Sequence, residues 1–103
     1  MKKVVFSLDV EDWYHLDYFD RAECDESFSM LDGVDVYVDL MRELSLPSSF
    51  FVLGEIAEIK IDYFKHLVEL GHDIGCHGWD HQRPLTMSLE MFREDLHRCT
   101  VAM

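Results

Sequence analysis

Short apolar runs alternate along this chain with longer stretches in which apolar residues recur every three or four positions. Val4-Val5-Phe6-Ser7-Leu8 is mostly apolar and β-branched, the pattern of a buried strand that stops at Asp9. Between Gly33 and Leu46, the residues Val36, Leu40, Met41 and Leu44 share one helical face, and Pro47 ends that helix. Ser48-Ser49-Phe50-Phe51-Val52-Leu53 predicts a second strand. Ile56, Ala57 and Ile59, then Tyr63, Phe64, Leu67, Val68 and Leu70, predict one or two further helical segments, with Gly71 as the stop. Asp73-Ile74-Gly75-Cys76-His77 predicts a brief third strand that delivers His77 at its end. Pro84 interrupts the chain after it, and Ser88 is placed to N-cap a last helix carrying Met91, Phe92, Leu96 and Cys99. From Trp13 to Asp32 no period holds, so a long acidic loop rich in aromatics is expected there.

This order of strand and helix predicts an α/β fold, parallel strands with outer helices. In such folds functional groups gather at the C-terminal ends of the strands. Asp9 and His77 both fall there.

The run Gly75-Cys76-His77-Gly78-Trp79-Asp80-His81 carries the sharpest chemistry. Two imidazoles four residues apart can share one face of a helix or turn and close on a single metal ion. The acidic cluster Asp9-Val10-Glu11-Asp12 offers a third ligand and a base. Two His and one carboxylate with open positions form a catalytic rather than a closed structural metal site. Glu11 lies two residues after Asp9 and shares its side while the chain stays extended. Asp12 serves if the chain turns at once, and its shorter side chain suits a tight site. Both stay open, with Asp12 slightly favoured.

Composition narrows the options. At 103 residues the chain is at most one small domain, and its 49% apolar and 13% aromatic residues suit a packed core. A net charge of −12 repels phosphate backbones and anionic lipid and favours cation capture. No nucleic-acid partner is expected. Three unpaired cysteines (Cys24, Cys76, Cys99) argue against a disulfide framework and for a reducing compartment. The apolar run behind Met1-Lys2-Lys3 is too short for a signal peptide or a membrane span. A soluble cytoplasmic protein is the expectation.

Three segments in order resemble one family. Ser7-Leu8-Asp9-Val10-Glu11-Asp12-Trp13-Tyr14 is similar to the first motif of the polysaccharide deacetylases (the NodB-homology, or carbohydrate esterase 4, superfamily), in the branch reading Asp-Val-Glu-Asp followed by an aromatic. Ser48 to Ala57 resembles the family's second strand and following helix, and Gly71 to His81 its His-x-x-x-His motif. Pro84-Leu85-Thr86 leading into the Ser88 helix also fits. The resemblance implies the N-terminal part of a distorted (β/α) barrel and metal-dependent hydrolysis of N-acetyl groups on a glycan or sugar conjugate. Zinc is the first metal implied, with cobalt, nickel or other divalent ions also accommodated.

By this resemblance Asp9 is the general base, and His77 and His81 are ligands beside Asp12 or Glu11; relatives with Asp-x-Asp point to Glu11. Family members continue with Arg, Trp/Asp and Leu-x-His motifs, none of which comes after His81. Residues 1–103 are therefore expected to be a partial domain, either a fragment of a deacetylase or a non-catalytic metal-binding module, with self-association through the open half-barrel. A related non-sugar amidase is the enzymatic alternative. Trp13 and Trp79 flank the site and are candidate sugar-stacking residues, although for each alone a core role is the better reading. His15, His66, His72 and His97 are expected to be structural or exposed, His15 at the surface. Asp80 is a candidate partner for a ligating imidazole, and Cys76 is expected to pack away from His77.

Overall fold

A computed structural model describes residues 2–102. Strands Ser7–Val10 (β1), Ser49–Val52 (β2) and Asp73–Cys76 (β3) form one sheet in the order β1-β2-β3, parallel throughout. Between and after them run helices Asp32–Glu43 (α1), Gly54–Ile59 (α2), Ile61–Glu69 (α3) and Leu89–Ala102 (α4). The predicted alternation is therefore present, with one shift that matters. β1 begins at Ser7, opposite Ser49, and Val4 and Val5 are 74% and 85% exposed outside the sheet. Asp9 thus lies within the strand, in register with Phe51, and Glu11 is the first residue beyond it.

Alternation along the strands sorts the sheet into two faces. Val10, Phe50 and Val52 are buried, with Leu8 and Ile74 half-buried beside them, and they pack on Val38 of α1, Ile56 and Ala57 of α2, and Phe64 and Leu67 of α3. Full burial of such a side chain contributes roughly 1.5–3 kcal/mol, so this face holds the fold together. Asp9, Phe51 and Gly75 occupy one row on the opposite face, and Asp9 and Phe51 remain exposed. One face is core; the other presents chemistry.

Helix ends follow local rules. α1 stops at Glu43, and Ser45 takes a left-handed φ of 54° before Pro47. Gly71, at φ 96°, turns the chain out of α3. The Ser88 hydroxyl accepts the Met91 N–H at 3.1 Å and caps α4 as expected. The residues from Trp13 to Leu31 are irregular apart from two single 3₁₀ turns. Among the described residues no helix is long and apolar enough to cross a membrane.

α2 begins without a side-chain cap. Its first N–H groups reach across the fold instead: Gly54 N donates to Gly78 O at 2.8 Å and Glu55 N to Trp79 O at 3.1 Å. A Cβ on Gly54 would stand 2.5 Å from Trp79 Cε3 and 3.0 Å from Cys99 Sγ. Gly54→Ala is accordingly expected to lower stability by about 1–3 kcal/mol through overpacking. Gly33→Ala, with open space around its Cβ, should be neutral or slightly stabilising. Urea midpoints of the two variants against wild type check both.

Candidate metal centre

Because the strands are parallel, the residues leaving β1 and β3 emerge at the same edge of the sheet. Glu11 follows β1, and His77 follows β3, its N–H held by Val52 O at 3.0 Å. The chain then turns through Gly78 at φ 84° and returns with His81 at φ 68°. Left-handed backbone is unusual for a residue other than glycine and tends to be kept where function demands it. This turn sets the two imidazoles 5.2 Å apart between ring centroids.

Glu11 Oε2 lies 3.1 Å from His77 Nε2 and 3.0 Å from His81 Nε2. One ligand atom from each of Glu11, His77 and His81 falls within 4.8 Å of the others. Bonds of about 2.0–2.1 Å in a tetrahedral zinc site place neighbouring ligand atoms roughly 3.3 Å apart, so the three donors fit a small divalent cation with little movement. Asp9 Oδ2 stands 3.9 Å from His77 Nε2 on a half-exposed side chain. His81 Nδ1 is buried and has no hydrogen-bond partner among the described residues; the backbone turn, rather than a second imidazole bond, orients this ring. Asp80 does not provide that bond; its carboxylate accepts from Gln82.

Asp12, the slightly favoured ligand, faces elsewhere. It is 1% exposed, and its Oδ1 accepts from Trp13 N at 2.9 Å and Met30 N at 2.8 Å. Its Oδ2 accepts from the Ser29 hydroxyl. The chain stays extended through Asp12 and turns at Trp13, so Asp12 faces inward to tie down the 13–31 loop while Glu11 points at the histidines. For Trp79 the core reading prevails, and its candidacy for sugar stacking is corrected. It is 8% exposed, packed with Cys99 and Ala102 and covered by the Arg98 guanidinium 3.6 Å from its ring centroid. It therefore has no free face for a sugar. Trp13 is half-buried and bound into the loop, its indole N–H donating to Phe28 O at 2.9 Å and its ring edge-on to Tyr14 and Phe19. Cys76, expected to pack, is instead exposed; its Sγ accepts the Gly78 N–H, and it lines the same cleft as His77 and His81. The buried Cys99 thiol is pushed up to about 12 by burial and by Cys76.

His15, expected at the surface, is buried. Its Nδ1 accepts the Asp12 N–H at 2.8 Å, so Nε2 carries the proton that meets Glu55 Oε1 at 2.6 Å. Glu55 also binds Arg21, at 2.7 and 3.1 Å. The pattern Asp12-x-x-His15 at the start of a turn is a capping-box spacing and was the signal available for His15; nothing local marks Glu55. His72 is buried as expected of a structural histidine, its Nδ1 accepting the Ser48 N–H.

The family model for polysaccharide deacetylases matches residues 19–103, most of the chain. The chain belongs to the polysaccharide deacetylase family. A peptidoglycan deacetylase of Helicobacter pylori is 30% identical over 56 residues, which span 54% of this chain and 19% of that protein. Among solved structures, a deacetylase with substrate superposes at a TM-score of 0.70 and 21% identity, over 95% of this chain and 40% of that one. A CE4-family pseudoenzyme from Bacillus anthracis gives 0.70 and 14%, over 95% and 29%. At these identities the structures establish the fold alone: the three parallel strands and four helices of the described residues match part of the fold of these carbohydrate esterase 4 structures. The match to the curated relative spans about a fifth of that protein's length. The span matched by the family model begins after Asp9, Glu11 and Asp12, so their placement rests on their geometry.

Burial works against the charge of Glu55, yet Arg21 and His15 outweigh it and hold its carboxyl below the ordinary value of 4.5. A depressed carboxyl contributes stability above its unfolded value, and that contribution disappears as pH falls through the folded value. Wild type should therefore lose its advantage over Glu55→Gln as pH drops from about 7 to about 3. Paired denaturant titrations across that range provide the measurement; a constant gap would contradict the ion pair.

Proposed function

We propose that this segment carries the metal centre of a hydrolase that removes N-acetyl groups from a glycan or sugar conjugate. The observation that carries the reading is the convergence of Glu11, His77 and His81 beside Asp9, at the strand edge where α/β enzymes place their sites. Glu11, His77 and His81 are the ligands, zinc being the first choice for two imidazoles and a carboxylate. When bound there, a divalent ion supplies Lewis acidity toward an amide carbonyl and makes water a better nucleophile. Asp9 acts as general base: its half-exposed carboxylate faces the same space as the ligand atoms and accepts the proton of the attacking water.

The N-acetylated substrate is supported by family membership and by the peptidoglycan deacetylase likeness. An open cleft of about 380 Å³ adjoins the histidines, lined by Arg83, Pro84, Met87, Phe92 and Leu96 among others. Its apolar walls also carry one cation, Arg83, paired with Asp17, and one carboxylate, Asp95, a balance that suits a neutral acetylated sugar better than an anionic one.

Metal uptake is the first test, read by competition with a chromophoric chelator. His77→Ala and Glu11→Gln should each weaken zinc binding by more than the roughly 10–100-fold that losing a supporting outer-shell group costs. Asp12→Asn should leave affinity far closer to wild type and instead lower stability by about 1–3 kcal/mol, the cost of unmade buried hydrogen bonds. Equal losses for Glu11→Gln and Asp12→Asn would sink the ligand assignment. Acetate release from N-acetylated chito-oligosaccharides by the protein, abolished in Asp9→Asn with metal content unchanged, tests the catalytic half of the reading.

A further inference from the structure

Glu55 is a heavily bonded charged group that the deacetylase reading leaves unused. It stands second in α2, and its two ends reach opposite sides of the candidate centre. Its backbone N–H donates to Trp79 O at 3.1 Å, within the turn that joins His77 to His81. Its carboxylate accepts from His15 Nε2 at 2.6 Å, and His15 Nδ1 accepts from the backbone N–H of Asp12 at 2.8 Å, the residue directly after Glu11. Arg21 binds the same carboxylate and stacks over Tyr14 with 5.1 Å to the ring centroid. Its other bonds run to Glu26 at 2.9 and 3.2 Å. The His15 side chain is fully buried and the Glu55 side chain is 20% exposed.

We infer that Glu55 is a positioning residue that holds Glu11 in register with the His77–His81 turn, acting through His15 on one side and the Trp79 carbonyl on the other. Glu11 and His77, 66 residues apart in sequence, must meet within hydrogen-bond distance. The three-stranded sheet aligns their backbones, but both donors lie beyond the last paired residues, Val10 and Cys76. Past that point the Glu55 links join the two loops through one residue. Glu55 is not itself a ligand, since both carboxylate oxygens are engaged by His15 and Arg21. The inference rests on the metal-centre reading and adds a residue that no ligand motif contains.

Cobalt(II) titration of the whole chain, followed by its visible d–d absorption, separates the two ideas. Wild type should bind Co²⁺ and His77→Ala should not; a wild type that takes up no Co²⁺, or a His77→Ala that binds equally well, overturns the metal reading and this inference with it. Glu55→Ala should bind about tenfold more weakly, the outer-shell cost, with an altered band that reports a changed ligand geometry. Glu55→Gln keeps an oxygen for His15 and should restore the wild-type band and most of the affinity. A Glu55→Ala protein that is folded by circular dichroism and retains wild-type affinity and spectrum overturns the positioning role alone. Should Glu55→Ala not fold, His15→Asn decides. Its side-chain oxygen can replace Nδ1 as acceptor for Asp12 N–H but cannot reach Glu55. A loss of about tenfold supports the role, and unchanged binding rejects it.

Discussion

The first turn of α2 is the constraint on which the site depends. A helix start leaves N–H groups without helical acceptors, and this one has no side chain to cap them. The carbonyls of Gly78 and Trp79 take that place. A buried N–H left unpaired costs about 1–3 kcal/mol, so the helix and the loop after β3 each stabilise the other. Those carbonyls belong to the turn that folds His81 back beside His77. The close approach needs a residue without Cβ at position 54, because the Trp79 ring lies where that atom would be. A folding requirement of a short helix and the spacing of two imidazoles are thus met by the same atoms.

Two adjacent carboxylates divide the remaining work by direction. Glu11 and Asp12 leave β1 on opposite sides, as neighbouring residues must while the backbone stays extended. The inward one meets three donors, Trp13 N, Met30 N and the Ser29 hydroxyl, and becomes the anchor of an otherwise irregular loop. A carboxylate so engaged has its lone pairs committed and its solvation already exchanged for protein hydrogen bonds. The outward one has no such partners and faces the histidines. Side-chain length favours neither residue in isolation; the backbone direction at the end of the sheet decides.

Much of the fold was legible because its signals are local and periodic. Phe50 and Val52 alternate as a strand must, Phe64 and Leu67 share a helical face, and Ser88 caps where a hydroxyl before a helix should. The start of β1 was misplaced because Val4 and Val5 carry strand propensity, whereas pairing depends on where β2 begins. The His77–His81 pair was visible from spacing alone. The choice between Glu11 and Asp12 and the burial of His15 were not, and the core role of Trp79 was legible only as the better of two options. Each depends on what lies across the fold: the donors at residues 29 and 30, the carboxylate of Glu55, and the packing of α4 over the indole. Chain composition holds no record of those distances.

Family membership does not by itself make a deacetylase active, since the solved structures that share this fold include both a deacetylase with substrate and a pseudoenzyme. The decisive property is what the chain's own groups do when brought together. Here Asp9 and Glu11 place carboxylate oxygens 3.9 and 3.1 Å from one nitrogen, His77 Nε2, in a protein whose net charge is already −12. Two carboxylates sharing one imidazole are mutually repulsive, and the repulsion grows as the site is shielded from water. Under the proposed function, a divalent cation held by Glu11 and the imidazoles would offset that repulsion, with Asp9 in the proposed role of base. The proposed role, binding a cation and moving a proton beside it, gives the second carboxylate a use that pairing with one imidazole alone does not.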